Sequence, residues 1–272
     1  MKTLRAELDV MVGRELELQR FRAVLRKRQS QLIWGAADAG KTFLIKNAIS
    51  ELPEHERRKC VCWTGPASRR QLVAHLIGEL YLAGDPLVRK KVHADGAGPD
   101  TLTRWVNEQS SLRLRGILFT AAERSEYRFF IDHLPQATQA MSQLMNEIVY
   151  RTKTPIYLTS HGHSQGELGG AWSLYWTDEF RIRVGPLAGG SAREILETCI
   201  RTFRLSSLDL EGFREQVLHL SGCLPGCIVK MCELAADPRY RYGDQIKVKL
   251  VHVDYLMQGN RAFSQSVSGH SA

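Results

Sequence analysis

A layered α/β domain, in which a five-stranded, mostly parallel sheet lies between helices, followed by a smaller all-helical domain, is the architecture predicted for this chain. Three observations predict it. Apolar runs of β type recur at Gln31–Trp34, Lys59–Trp63, Tyr127–Asp132, Pro155–Thr159 and Arg181–Gly185, separated by stretches with helical apolar spacing. The first run passes through a glycine-rich loop directly into a helix. Beyond Pro186 the β-type runs stop and four helical stretches follow: Ser191–Phe203, Asp209–Leu220, Pro225–Ala235 and Lys247–Met257. The predicted division is a core over 1–187, a helical domain over 188–258 and a disordered tail over 259–272, where Ser, Gly and Gln replace apolar residues.

The loop after the first strand reads Gly35-Ala36-Ala37-Asp38-Ala39-Gly40-Lys41-Thr42 and leads into Phe43-Leu44-Ile45, which is G-x-x-x-x-G-K-T between a strand and a helix. Such a loop binds a nucleoside triphosphate. Gly35 and Gly40 let the backbone bend tightly, so that N–H groups from Ala36, Ala37, Asp38, Ala39 and the start of the helix at Phe43 aim at the phosphates. Lys41 supplies a point charge, and Thr42 a hydroxyl oxygen for Mg²⁺.

Further along, Ser68–Leu82, Leu102–Ala122, Ala137–Tyr150 and Glu167–Tyr175 have helical spacing, whereas Ala83–Asp100, rich in Gly, Asp, Pro and Lys, reads as a surface loop. In the helical domain Asp209 is expected to cap the second helix and Gly222 to end it. The chain has 272 residues, 43% of them hydrophobic, enough for a full core. No run is long and apolar enough to cross a membrane and the first residues lack the apolar segment of a signal peptide, so the expectation is a cytoplasmic protein. The six cysteines form no Cys-x-x-Cys pair and read as reduced thiols. A net charge of +8, spread in short clusters such as Arg26-Lys27-Arg28 and Arg89-Lys90-Lys91, is compatible with an acidic partner, including DNA.

Hydrolysis at a phosphate loop needs a carboxylate at a neighbouring strand end to hold the Mg²⁺ shell and a second group to orient water. Asp132 closes the run Phe129-Phe130-Ile131 and fits the first role; the alternative is a helix cap. The next residue is His133, an imidazole where a carboxylate base would serve better, which predicts slow turnover. The third strand end, Thr159-Ser160-His161-Gly162-His163, places Ser160 or His161 where a polar group would sense the terminal phosphate. His161 and His163 are otherwise surface-loop residues, or, less readily, part of a metal site that lacks further ligands.

Together these pieces resemble the AAA+ and STAND superfamily of P-loop ATPases over about residues 10–257. Met11-Val12-Gly13-Arg14-Glu15-Leu16 resembles the V-G-R-E box that borders the adenine, which implies that Val12 and Arg14 line the base and ribose. Ser221-Gly222-Cys223-Leu224-Pro225-Gly226 resembles the G-x-P box of the STAND helical lid, which implies that Pro225 packs on the nucleotide. Leu158-Thr159-Ser160-His161 resembles a strand ending in T-S-R, with His161 in the arginine's place. The resemblance also implies ATP and Mg²⁺ as cofactors, and an arginine finger at Arg181 or Arg183. By the same resemblance the chain is a nucleotide-dependent switch or slow ATP hydrolase that oligomerises or docks a protein partner. The alternative is a DNA-associated ATPase resembling transposition or replication helpers.

Overall fold

The computed structural model describes residues 12–64, 68–134, 137–162, 165–175 and 177–268. Its contacts divide the chain into two compact units: Leu18–Ala36 with Lys41–Arg183, and the described residues of Met1–Glu17, Ala37–Gly40 and Val184–Ala272.

The first unit contains helix α1 (Glu15–Arg26) from Leu18 onward, strand β1 (Gln31–Trp34), α2 (Lys41–Ser50), α3 (Glu54–Arg57), β2 (Cys60–Thr64), α4 (Arg69–Leu82), α5 (Pro86–Ala94), α6 (Leu102–Glu108) and α7 (Ser111–Arg124). It continues through β3 (Arg128–Asp132), α8 (Gln139–Thr152), β4 (Ile156–Ser160), α9 (Gln165–Leu168), α10 (Ala171–Leu174) and β5 (Arg181–Arg183). The five strands pair in parallel in the order β2-β3-β4-β1-β5. The register brings Trp34 beside Ser160 and Ile131 beside Leu158, so the carboxyl ends of β1, β4 and β3 share one sheet edge with β4 in the middle. β1 lies between β4 and β5, where the order of strands reverses, and ligands of open α/β sheets bind outside such a point.

Both sheet faces are covered. One carries the large core of α4, α7 and α8, including Leu76, Leu118 and Met145. On the other, Phe21 of α1 meets the Tyr157 ring edge-on at 5.6 Å and Phe130 stacks on it at 4.7 Å. β3 and β4 are buried along their whole length, as expected for central parallel strands.

Two stretches depart from expectation. The segment expected as a loop from Ala83 contains α5: Asp85 caps it by accepting the Val88 N–H at 2.9 Å, Pro86 fills the first turn, and Val88 and Val92 are fully buried. Its flanking Gly84-Asp85-Pro86 and Asp95-Gly96 hide a short amphipathic helix between turn signals. The helix expected over Leu102–Ala122 breaks after Glu108, where Ser110 caps α7 through the Arg113 N–H. Asp85 also accepts the Tyr127 hydroxyl at 2.9 Å, so Asp85→Ala strips two buried donors of their acceptor. The expected loss, read by urea unfolding, is about 3 kcal/mol.

The second unit contains α11 (Gly189–Thr202), α12 (Phe213–Ser221), α13 (Pro225–Ala235), the antiparallel pair β6 (Arg241–Tyr242) and β7 (Gln245–Ile246), and α14 (Val248–Ser268). Leu196, Phe213, Ile228, Met231 and Val251 form its core. Gly222 ends α12 in the left-handed conformation, φ 56°, as expected. Asp209 does not cap that helix: its side chain takes the Glu211 N–H, and α12 starts behind Gly212 at φ 68°. α14 runs through Ser268, so the stretch expected to be a disordered tail from 259 is helical for most of its length. Gly259 and Asn260 are weak helix formers but not breakers, costing at most about 1 kcal/mol each.

Among the described residues no helix is long and apolar enough to cross a membrane. All six cysteines are free thiols; Cys199, Cys227 and Cys232 are buried. Burial pushes the phenols of Tyr127, Tyr157 and Tyr175 well above the usual tyrosine range. A folded-state pKa raised above the unfolded value makes a contribution that is complete below the unfolded pKa and is lost as pH rises. Burial likewise raises the Cys60 and Cys62 thiols, so urea midpoints are expected to begin falling above about pH 8.5, where unfolded cysteine ionises, and to fall more steeply above about pH 10, where unfolded tyrosine ionises.

Candidate functional site

The phosphate loop leaves β1 at Trp34 and enters α2 at Lys41. Gly35 and Gly40 have φ of 146° and 93°, values that side chains oppose, which accounts for glycine at both ends. Lys41 is buried, 3% exposed, and its Nζ donates to Gly35 O at 2.9 Å and Ala36 O at 2.6 Å. Phe43 and Thr42 on the first turn of α2 are half-buried.

The strand ends supply the rest of this unit's polar constellation. Thr42 Oγ1 donates to Asp132 Oδ2 at 2.8 Å. Asp132 Oδ1 accepts the Thr159 hydroxyl, and Thr159 Oγ1 accepts the His133 N–H at 2.8 Å. That bond holds His133 at φ 60°, a left-handed conformation that histidine tolerates better than most side chains. The His133 and His161 rings stack at 4.8 Å with an interplanar angle of 14°.

Donor and acceptor counting orders the protons. A Lys41 ammonium only donates, so His161 Nδ1, 3.2 Å from Nζ, is the acceptor of that contact and a ring proton is on Nε2. His161 Nε2–H then donates to His133 Nδ1 at 2.8 Å, which leaves the His133 proton on Nε2. That N–H faces Thr42 Oγ1 at 3.3 Å, and Thr42 passes its own proton towards Asp132. The result is a directed chain, Lys41 to His161 to His133 to Thr42 to Asp132, with both ring nitrogens of each imidazole engaged and His133 Nε2 also 3.5 Å from Asp132 Oδ2.

Asp132, His133 and His161, three of the candidate site residues, thus lie together around Lys41 and Thr42. Ser160 does not join them in this network: it is buried, 3% exposed, and alternation along β4 turns Thr159 rather than Ser160 towards Asp132. Thr159 is the site residue that the sequence reading missed, and counting back two positions from His161 finds it. His163 lies outside the described residues. Among the described residues no group of three or more His, Cys, Asp and Glu side chains is arranged to hold a metal ion.

The second unit holds the tip of the loop. Ala39 is fully buried, and Arg14 donates to Ala39 O at 3.2 Å, to Gly185 O, and to Glu17 Oε1 at 3.1 Å. Arg14, 7% exposed, is therefore spent on supporting the loop from within the protein, whereas the family resemblance implies a place for it beside base and ribose. Val12 is half-buried. Pro225 opens α13, and its Cγ lies 3.5 Å from where a Cβ on Gly40 would stand, so this proline packs against the loop.

Arg181 is engaged within its own unit. Its guanidinium lies 3.6 Å over the Trp172 ring, donates to Tyr175 O and pairs with Asp178, leaving the side chain 11% exposed. Strand alternation alone gave no sign of that aromatic shelf. Arg183 is exposed, 5.4 Å over the Trp34 ring.

No protein-family model matches the chain, and no curated protein sequence matches it. Solved structures do. The chain is similar to the Walker-type ATPase PABY2304 of Pyrococcus abyssi, at TM-score 0.59 and 15% identity over 96% of this chain and 77% of that one. It is similar to the Orc1 protein of Aeropyrum pernix, solved in complex with DNA, at TM-score 0.52 and 16% identity over 91% of this chain and 66% of that one. It is also similar to Cdc6p of Pyrobaculum aerophilum, at TM-score 0.52 and 12% identity over 82% and 61% of the two chains. At these identities the likeness is one of fold: a P-loop nucleotide-binding fold, a parallel five-stranded sheet flanked by helices, with a helical C-terminal region.

Proposed function

We propose that the chain binds ATP with Mg²⁺ at the phosphate loop and acts as a nucleotide-dependent switch, or slow ATPase, that docks a protein partner or a second copy of itself. The directed chain from Lys41 through His161 and His133 to Thr42 and Asp132 carries this reading. Lys41 and the loop N–H groups take the phosphates. The Thr42 hydroxyl and the Asp132 carboxylate are hard oxygen donors of the type Mg²⁺ prefers, which fits them to that ion. When bound, Mg²⁺ neutralises charge on the phosphates and aligns them.

His133 stands where hydrolysis wants a group that accepts a proton from water. Its Nδ1 accepts from His161 and its Nε2–H faces Thr42, so it has no lone pair available until one of those links breaks. That supports slow turnover, and it supports a switch whose two states outlast the chemistry. His133→Glu supplies a carboxylate base, and the expected result is a rise in phosphate release from Mg·ATP of at least about tenfold. An unchanged rate contradicts the assignment of the base as the limiting group.

A second reading, a DNA-associated ATPase, draws on the net charge of +8 and on the DNA-bound state of the Aeropyrum protein. It predicts duplex binding that weakens steeply between low and physiological salt, because phosphate contacts release counterions. It also predicts faster phosphate release with DNA present. Salt-independent or absent binding removes it.

A further inference from the structure

Asp38 stands at the tip of the phosphate loop with φ 58°, a left-handed conformation that only a few residues with side chains adopt readily. Residues distant in sequence hold it there, all within one compact unit. Lys230 on α13 donates from Nζ to Asp38 Oδ1 at 2.9 Å and Oδ2 at 3.2 Å. Tyr255 on α14 donates its hydroxyl to Oδ2 at 2.7 Å. The Gly226 N–H donates to Asp38 O at 2.9 Å, and a Cβ on Gly226 would stand 2.8 Å from Asp38 Cβ, so only glycine allows this approach. Burial, then the bond to Asp38, pushes the Tyr255 phenol above the usual tyrosine range, so it remains a donor at neutral pH.

A carboxylate in a loop that gathers phosphates is unfavourable unless its charge is compensated and its direction fixed. Lys230 supplies the charge and Tyr255 the direction. We propose that Lys230 and Tyr255 are positioning residues for nucleotide binding, clamping Asp38 and with it the loop N–H groups in the shape that receives the phosphates. This rests on the reading that the loop binds ATP. Without the clamp Asp38 drifts out of the left-handed region, only a fraction of molecules present a binding-competent loop, and the apparent Kd rises by the inverse of that fraction.

The test uses the full chain, with calorimetric Kd values for ATP and hydrogen exchange at the Ala39 and Gly40 amides in nucleotide-free protein. Lys230→Met and Tyr255→Phe are each expected to raise the Kd about tenfold and to speed exchange at both amides. Lys230→Arg keeps the charge and is expected to bind within about twofold of wild type. In an Asp38→Asn background, Lys230→Met is expected to add less than about twofold, because the partner it served is gone. The Lys230 side chain is 55% exposed, so its replacement leaves the fold intact. Wild-type Kd and wild-type exchange in the single variants overturn the clamp while leaving the nucleotide reading in place, as does an equal Lys230→Met effect in both backgrounds. A wild-type chain that binds no ATP overturns both.

Discussion

Lys41→Ala is expected to weaken ATP binding by at least about a hundredfold, the loss of one or two hydrogen bonds to a charged group at about 1.5–3 kcal/mol each. The lysine is buried, and its ammonium joins Gly35 O, Ala36 O and His161 Nδ1, so it both carries the charge and ties the loop to the third strand end. The fold is expected to persist with a loss of about 1–3 kcal/mol, because two loop carbonyls lose a donor. Calorimetry reads the affinity and thermal melting reads the fold. An unchanged Kd removes the loop from Gly35 to Thr42 as the nucleotide site.

Asp132→Asn is the second large effect. The carboxylate accepts two hydroxyls, from Thr42 and Thr159, and an amide can accept only one while presenting an N–H₂ to the other. Removing the charge that fits Mg²⁺ and misaligning the Thr42 oxygen is expected to raise the Mg²⁺ concentration for half-maximal ATP binding by about 10–100-fold. An unaltered Mg²⁺ titration means another carboxylate holds the ion's shell. Thr159→Val, which deletes one donor to Asp132 and the acceptor of the His133 N–H, is expected to move the same titration in the same direction by a smaller factor.

The sheet was legible because each strand is a continuous apolar run between helical periods, and the loop because a strand–glycine–lysine–helix succession needs no tertiary information. Asp132 followed from its place at the end of such a run. Other features depend on contacts that sequence does not encode locally. Val88 and Val92 make a helix of a stretch whose flanking Gly, Asp and Pro residues read as loop. The stacking of His133 on His161 joins the residues that follow two different strands, and only the pairing of β3 with β4 makes them neighbours. Arg181 reads as an ordinary strand residue until Trp172 is found beneath it. Lys230 and Tyr255 look like unremarked helix positions, and their role exists only because Gly226 lets α13 approach Asp38.

The most direct test of the central claim, slow chemistry at a site that holds Mg·ATP, is a single-turnover assay with excess protein and ATP labelled on its terminal phosphate, following both label retained on the protein and label released as phosphate. Label is expected to be retained and to stay intact for minutes, with retention lost in Lys41→Ala. Label that is never retained, or that is released as phosphate within seconds, contradicts that claim.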